Sequence, residues 1–174
     1  MISTFRRTLD ALYRGAALIA AFCLILILLI IVLQMLARWT GTQFPGSTQY
    51  AGYLMAAASF FAFASALNTG AHIRVTLLIS MLAKRRFWAE LWGLALGTLI
   101  SSYLAWYTVK TVYWSYRLGD VSQGQDATPL WIPQMPMAIG AILLAICFLD
   151  NLVTLIFTGT DNIRKAPFEQ TAAE

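Results

Sequence analysis

The sequence predicts an all-α protein, an integral membrane four-helix bundle with a short interfacial segment between helices 2 and 3. Three observations carry that prediction. Of the 174 residues, 59% are hydrophobic and 11% charged, against about 25% charged in an ordinary soluble domain, so too little polar surface exists to cover a globule in water. The apolar residues gather into four stretches long enough to cross a bilayer. Basic and aromatic residues collect at the ends of those stretches, where membrane interfaces would lie.

The first uncharged stretch covers 15–37 and reaches about 34 Å as a helix, enough to cross a bilayer core with some tilt. Its centre, 23–32, holds only cysteine and branched aliphatics. Arg6, Arg7 and Arg14 precede it in the manner of a signal peptide. The stretch is longer than a signal h-region, however, and ends without a small-residue cleavage site, so it reads as a retained helix. Arg38 and Trp39 mark an interface, and 41–49, with Pro45 and Gly46, reads as a turn.

The second span, 50–69, is rich in small residues. Ala58, Ala62 and Ala66 fall four apart and share a helix face, which lets a neighbour approach closely in lipid. This helix is expected to be central. Gly70 suits a C-cap, and His72 and Arg74 suit the negative end of the helix dipole. The apolar segment 75–82 is too short to span and runs into Lys84, Arg85 and Arg86, as an interfacial segment at the inner leaflet would.

The third span, 88–114, contains Gly93 and Gly97 in GxxxG spacing, a packing contact, and Lys110 near its far end, where a lysine can snorkel. The loop 115–134 is the longest. Pro129, Pro133 and Pro136 are expected to hold off the fourth helix until Pro136 serves as its first-turn proline, giving a span of 135–157. The domain reading is a single transmembrane domain over 1–162 and a polar cytoplasmic tail over 163–174.

Orientation follows from the basic residues. The N-terminus, middle loop and tail hold Arg6, Arg7, Arg14, Arg74, Lys84, Arg85, Arg86, Arg164 and Lys165; the other side holds Arg38, Lys110 and Arg117. The bias predicts both termini in the cytoplasm. The net charge of +4 is spread over short clusters facing anionic lipid, which speaks against nucleic-acid binding.

Little in the spans could carry chemistry. Cys23 and Cys147 lie apart in apolar stretches with no paired-cysteine motif, and the single histidine, His72, excludes a bis-histidine haem site within this chain. No cofactor, metal or catalytic residue is expected. Asp150 is the one acid well inside a span; it reads as a helix-packing contact beside Asn151 in preference to an ion or proton site. Glu90 suits the start of its helix.

Two segments resemble a known family. Gly70, His72, Ile73, Arg74 and Val75 resemble the G-x-H-I-x-V stretch of the small (DctQ-like) permease subunits of TRAP, tripartite ATP-independent periplasmic, transporters. Pro129, Trp131, Pro133, Pro136 and Gly140 resemble their P-x-W…P…G segment. The chain has Thr76, Gln49 and Tyr50 where that family often has acids. The resemblance implies a bacterial inner-membrane scaffold subunit rather than an enzyme. Its partners would be membrane lipid, a large multi-spanning permease subunit that binds substrate and sodium, and a periplasmic substrate-binding protein that delivers an organic acid. The loop beside helix 4 would border that protein's docking surface, with Arg117, Asp120 and Asp126 as exposed charges steering it.

Two other classes compete. A homo-oligomeric channel or exporter needs a polar stripe along one helix, and none of the four spans shows one. A quinone-linked membrane oxidoreductase needs cysteine pairs in the periplasmic loops, which contain none.

Overall fold

A computed structural model describes residues 2–42, 44–68 and 86–158, and the chain there is helical with one structured loop. Four helices are found among the described residues: α1 (Ile2–Trp39), α2 (Ser47–Asn68), α3 (Arg86–Leu118) and α4 (Trp131–Thr158). Gly70, His72, Ile73, Arg74 and Val75, the interfacial segment 75–82 and the tail 163–174 lie outside the described residues.

Length and apolar composition qualify α1, α2 and α4 as membrane-crossing helices. The third helix, 33 residues long, has the length. Its tyrosines, tryptophans and hydroxyl residues leave it less apolar than the other three. α1 packs on α2, α2 on α4, and α4 on α3. The bundle is therefore laid out in the order α1–α2–α4–α3, with α2 and α4 inside, and the central place expected for the second helix is what the contacts show.

Small residues make this layout possible. One buried cluster joins Ala16, Ala20 and Cys23 of α1 to Ala57, Ala58 and Phe61 of α2, with Ala62 packed at its edge. A second joins Tyr13 of α1, Ala64 and Leu67 of α2, and Cys147 of α4. In lipid the solvent is as apolar as leucine, so close fit rather than water exclusion holds helices together. The bulky aliphatics of α1, such as Leu18, Leu24, Ile25 and Leu28, accordingly point outward.

The start of α4 corrects the expectation built on Pro136. The helix begins at Trp131, Pro133 falls in its first turn, and Pro136 lies inside it. First-turn N–H groups have no acceptor within the helix, so Pro133 forfeits nothing there. The turn is closed by Ile132 N–H to Pro129 O (3.1 Å) and Gln134 N–H to Leu130 O (3.2 Å). Pro136 forgoes one intrahelical bond, which membrane helices tolerate where packing compensates. At the other end of the loop, α3 stops at Gly119, whose φ of 68° lets Asp120 N–H turn back to Ser115 O at 3.1 Å.

Candidate functional site

The residues that determine how this bundle is built form two groups, the helix crossings and the loop between α3 and α4. At Gly140 one helix meets the backbone of another. A Cβ placed there would sit 2.6 Å from the Phe60 carbonyl carbon and 2.7 Å from its oxygen, so α4 meets the backbone of α2 with no room for a side chain. The next contact is Gly97 of α3, whose missing Cβ leaves space for the Phe148 ring of α4. Gly93 behaves otherwise. A Cβ there would meet nothing within 4 Å, and the residue is exposed, so among the described residues only one half of the GxxxG pair packs.

Of the alanines expected on one face of α2, Ala58 is buried against α1 and Ala62 lies at the edge of that cluster; Ala66 is half-buried. Sequence reasoning missed their counterparts on α1. Tyr13, Ala16, Ala20 and Cys23 are all buried and recur at intervals of three and four, one helix face. That spacing was the available signal.

At the Tyr13 end of the bundle, Asn151 rather than Asp150 is the buried polar residue, 1% exposed. Its Nδ2 donates to Cys147 O at 2.8 Å, and the Cys147 thiol faces Ala64 O at 3.5 Å. Asp150 is half-buried, has an interaction of its own, and lies within electrostatic reach of Tyr13 and Cys147.

The loop is built like a hairpin. Ser122 N–H bonds Thr128 O (2.8 Å) and Leu130 N–H bonds Asp120 O (2.9 Å), with a bridge between Val121 and Pro129. Asp126 pins it to α2. Its carboxylate accepts from Tyr53 Oη at 3.0 Å and from Ser122 Oγ at 2.9 Å, and Tyr53 Oη also reaches Ser122 Oγ at 2.9 Å. Gly46 supplies clearance, since a Cβ there would lie 3.1 Å from Asp126 Cβ. Asp126 is thus a partly buried anchor, not the freely exposed charge expected from the sequence. Arg117 and Asp120 are exposed, and Arg117 Nε donates to Tyr113 Oη at 3.1 Å.

The hydrogen bond from Thr128, followed by those from Ser122 and Tyr53, holds the Asp126 carboxyl below the ordinary carboxylate range. A depressed folded pKa adds stability that is present above the unfolded value of about 3.9 and lost as pH falls through the folded value. The loop should stay docked from pH 7 down to about 4 and release only below that. Asp126→Asn should loosen it at pH 7. A lower protection factor at Ser122 N–H, that is, exchange measured against the intrinsic rate at the same pH, is expected in the variant at pH 7 and in the wild type only in acid below about pH 4; protection unaffected by either change would contradict the anchor.

Two adjoining cavities of about 380 and 620 Å³ open beside this loop. Gln34 and Arg38 from α1, Phe44 from the turn and Gln125 from the loop line the first; Gln49 and Gln123 contribute to the second. Among the described residues, no group of three or more His, Cys, Asp or Glu side chains could hold a metal ion.

Helices packed through alanine and glycine, with large apolar side chains turned outward, define a membrane component whose outer surface is made for lipid and other helices. A sequence model of the family described as "Tripartite ATP-independent periplasmic transporters, DctQ component" matches residues 27–158. The chain belongs to that family, whose members are the small permease subunits of TRAP transporters. Comparison with curated proteins and with solved structures gave no significant match.

Proposed function

We propose that the chain is a static scaffold subunit in the inner membrane of a bacterium. In this reading a large permease subunit carries an organic acid inward with sodium, and a periplasmic binding protein delivers the acid. The observation that carries the scaffold role is the interior of the bundle. Among the described residues alanines, leucines, cysteines and Phe61 close most of it, and the buried polar groups, Ser47, Ser101, Ser115 and Asn151 and the Tyr13 hydroxyl, sit at separate crossings rather than in one path. Ions and anions in transit need polar groups at membrane depth. A subunit lacking such a path serves by packing, and transport falls to its partner. The reading is tested by reconstitution: the purified chain alone should move no substrate.

All four helices cross the membrane in this reading, α3 by its alignment along α4, with both termini cytoplasmic. The loop and the α1–α2 turn then face the periplasm. Arg117 and Asp120, exposed at the loop, remain the charges that would tune docking of the binding protein. The basic asymmetry supports this orientation, and cysteine labelling tests it. Cysteines at Thr42 and Gln123, both exposed, should react with an impermeant thiol reagent applied from the periplasm, and one at Lys84 should not. Gln123 is preferred to Gly124, where a Cβ would meet Gln49 and Asp126 side-chain atoms at 2.7 Å. The native Cys23 and Cys147 are buried and should stay silent. The reverse labelling pattern would overturn the orientation.

A further inference from the structure

The third helix carries two stripes on opposite faces. One turns toward α4 and is made of Leu94, Gly97, Ser101, Leu104, Thr108 and Ser115, all buried or half-buried. The other, displaced by two residues and so by about 200°, consists of Trp92, Leu96, Leu99, Tyr103, Trp106, Lys110, Tyr113 and Arg117, every one exposed. Its intervals alternate four and three from end to end. That is the 3.5-residue repeat which keeps a seam of side chains facing a second helix over many turns.

Lipid alone does not suit this outer stripe. With Trp88 and Trp114 as interface markers, the middle of the span falls near Ser101. Tyr103 is then about 3 Å from the midplane, Trp106 about 8 Å and Tyr107 about 9 Å, by the helical rise, all inside a hydrocarbon core extending about 15 Å each way. Tryptophan and tyrosine favour the interfaces, where their polar atoms meet water. Here Trp106 is 72% and Tyr103 61% exposed at a depth with no water. The rings of Tyr103 and Tyr107 lie 4.4 Å apart on this face. Their phenol O–H donors have no acceptor on another helix among the described residues. One helical turn on, Lys110 Nζ lies 5.8 Å from the Tyr107 ring centroid and has no acidic partner among the described residues. Donors and a cation are thus presented outward, and the surface complementary to them offers acceptors.

From these features we infer that the outer stripe of α3 is the face on which this subunit docks, and that its occupant is a membrane-spanning helix of the large permease subunit. That helix presents hydrogen-bond acceptors at the depth of Tyr103 and Tyr107 and a carboxylate opposite Lys110. The outward face of α1 is different. Leu18, Leu24, Ile25 and Leu28 are exposed aliphatics with no polar atom to satisfy, and lipid covers them equally well. The inference rests on the proposed role as partner of a large permease subunit and adds the surface that makes the contact.

The test is photo-crosslinking in the assembled complex, purified from membranes through a tag on the large subunit. A benzophenone amino acid is placed singly at Leu99, Trp106, Ile25 or Leu28. These side chains project away from the bundle, so the replacements leave its packing intact. Adducts with the large subunit are expected from Leu99 and Trp106 at least tenfold above those from Ile25 and Leu28. Lys110→Glu should lower recovery of this chain with the large subunit about tenfold, while Lys110→Arg should preserve it. Adducts from α1 alone, or a complex that forms with α3 reacting only with lipid, would overturn the docking face and leave the proposed function standing. Failure of the wild-type chain to co-purify with the large subunit would overturn the proposed function, and the docking face with it.

Discussion

Gly140→Leu should drive α2 and α4 apart and abolish the stable bundle, while Gly93→Leu should leave it intact. Both are glycine-to-leucine changes within helices, and both gain about 1 kcal/mol of helix propensity. They differ in what surrounds them. At Gly140 the first added carbon already lies 2.6–2.7 Å from the carbonyl group of Phe60, and a backbone atom cannot rotate aside as a side chain can. Overpacking against mobile neighbours costs about 1–3 kcal/mol; against fixed backbone the cost belongs at or above the upper end, and the propensity gain does not offset it. Because fit is what holds membrane helices together, no water-exclusion term remains to restore the crossing. At Gly93 a Cβ meets nothing within 4 Å. Unfolding of the purified chain in mixed micelles, followed by helicity against denaturant, should show Gly140→Leu destabilised by about 3 kcal/mol or more and Gly93→Leu within about 0.5 kcal/mol of the wild type or better. Gly140→Ala should fall between them. Equal stabilities for Gly140→Leu and the wild type would show that the α2–α4 crossing does not depend on this contact.

How much of this was legible in the sequence depends on what lipid does to sequence patterns. The four helices could be read directly, because a bilayer demands long uncharged runs and little else produces them. Their facing surfaces were harder. In water, apolar periodicity shows which side of a helix is buried; in lipid every side is apolar and only small residues mark an interface. Ala58 and Ala62 carried that mark visibly. Ala16, Ala20 and Cys23 carried it too, but beside a run of leucines and isoleucines that drew attention to the outward face. Gly140 stood out only as part of a family pattern; its reason, contact with the Phe60 backbone, needs the partner helix. α4 does carry a first-turn proline, but it is Pro133 and not Pro136; with Pro129, Pro133 and Pro136 so close together, the sequence alone does not say which of them opens the helix. Asp126 could not be read as an anchor, since its partner Tyr53 is distant in sequence and nothing in the loop itself announces the bond.

The second large effect concerns transport. Among the described residues the buried polar side chains are Ser47, Ser101, Ser115 and Asn151, with the Tyr13 hydroxyl; Ser101 Oγ is bonded to Thr98 O and Asn151 to Cys147 O. The proposed scaffold role assigns this chain the holding of a partner and leaves transport to that partner. Vesicles containing this chain alone should take up labelled organic acid no faster than empty vesicles, with or without a sodium gradient. Adding the large permease subunit and the loaded periplasmic binding protein should produce saturable, sodium-dependent uptake, and leaving this chain out should reduce that uptake at least tenfold. Saturable uptake by the chain alone, or undiminished uptake in its absence, would contradict the account.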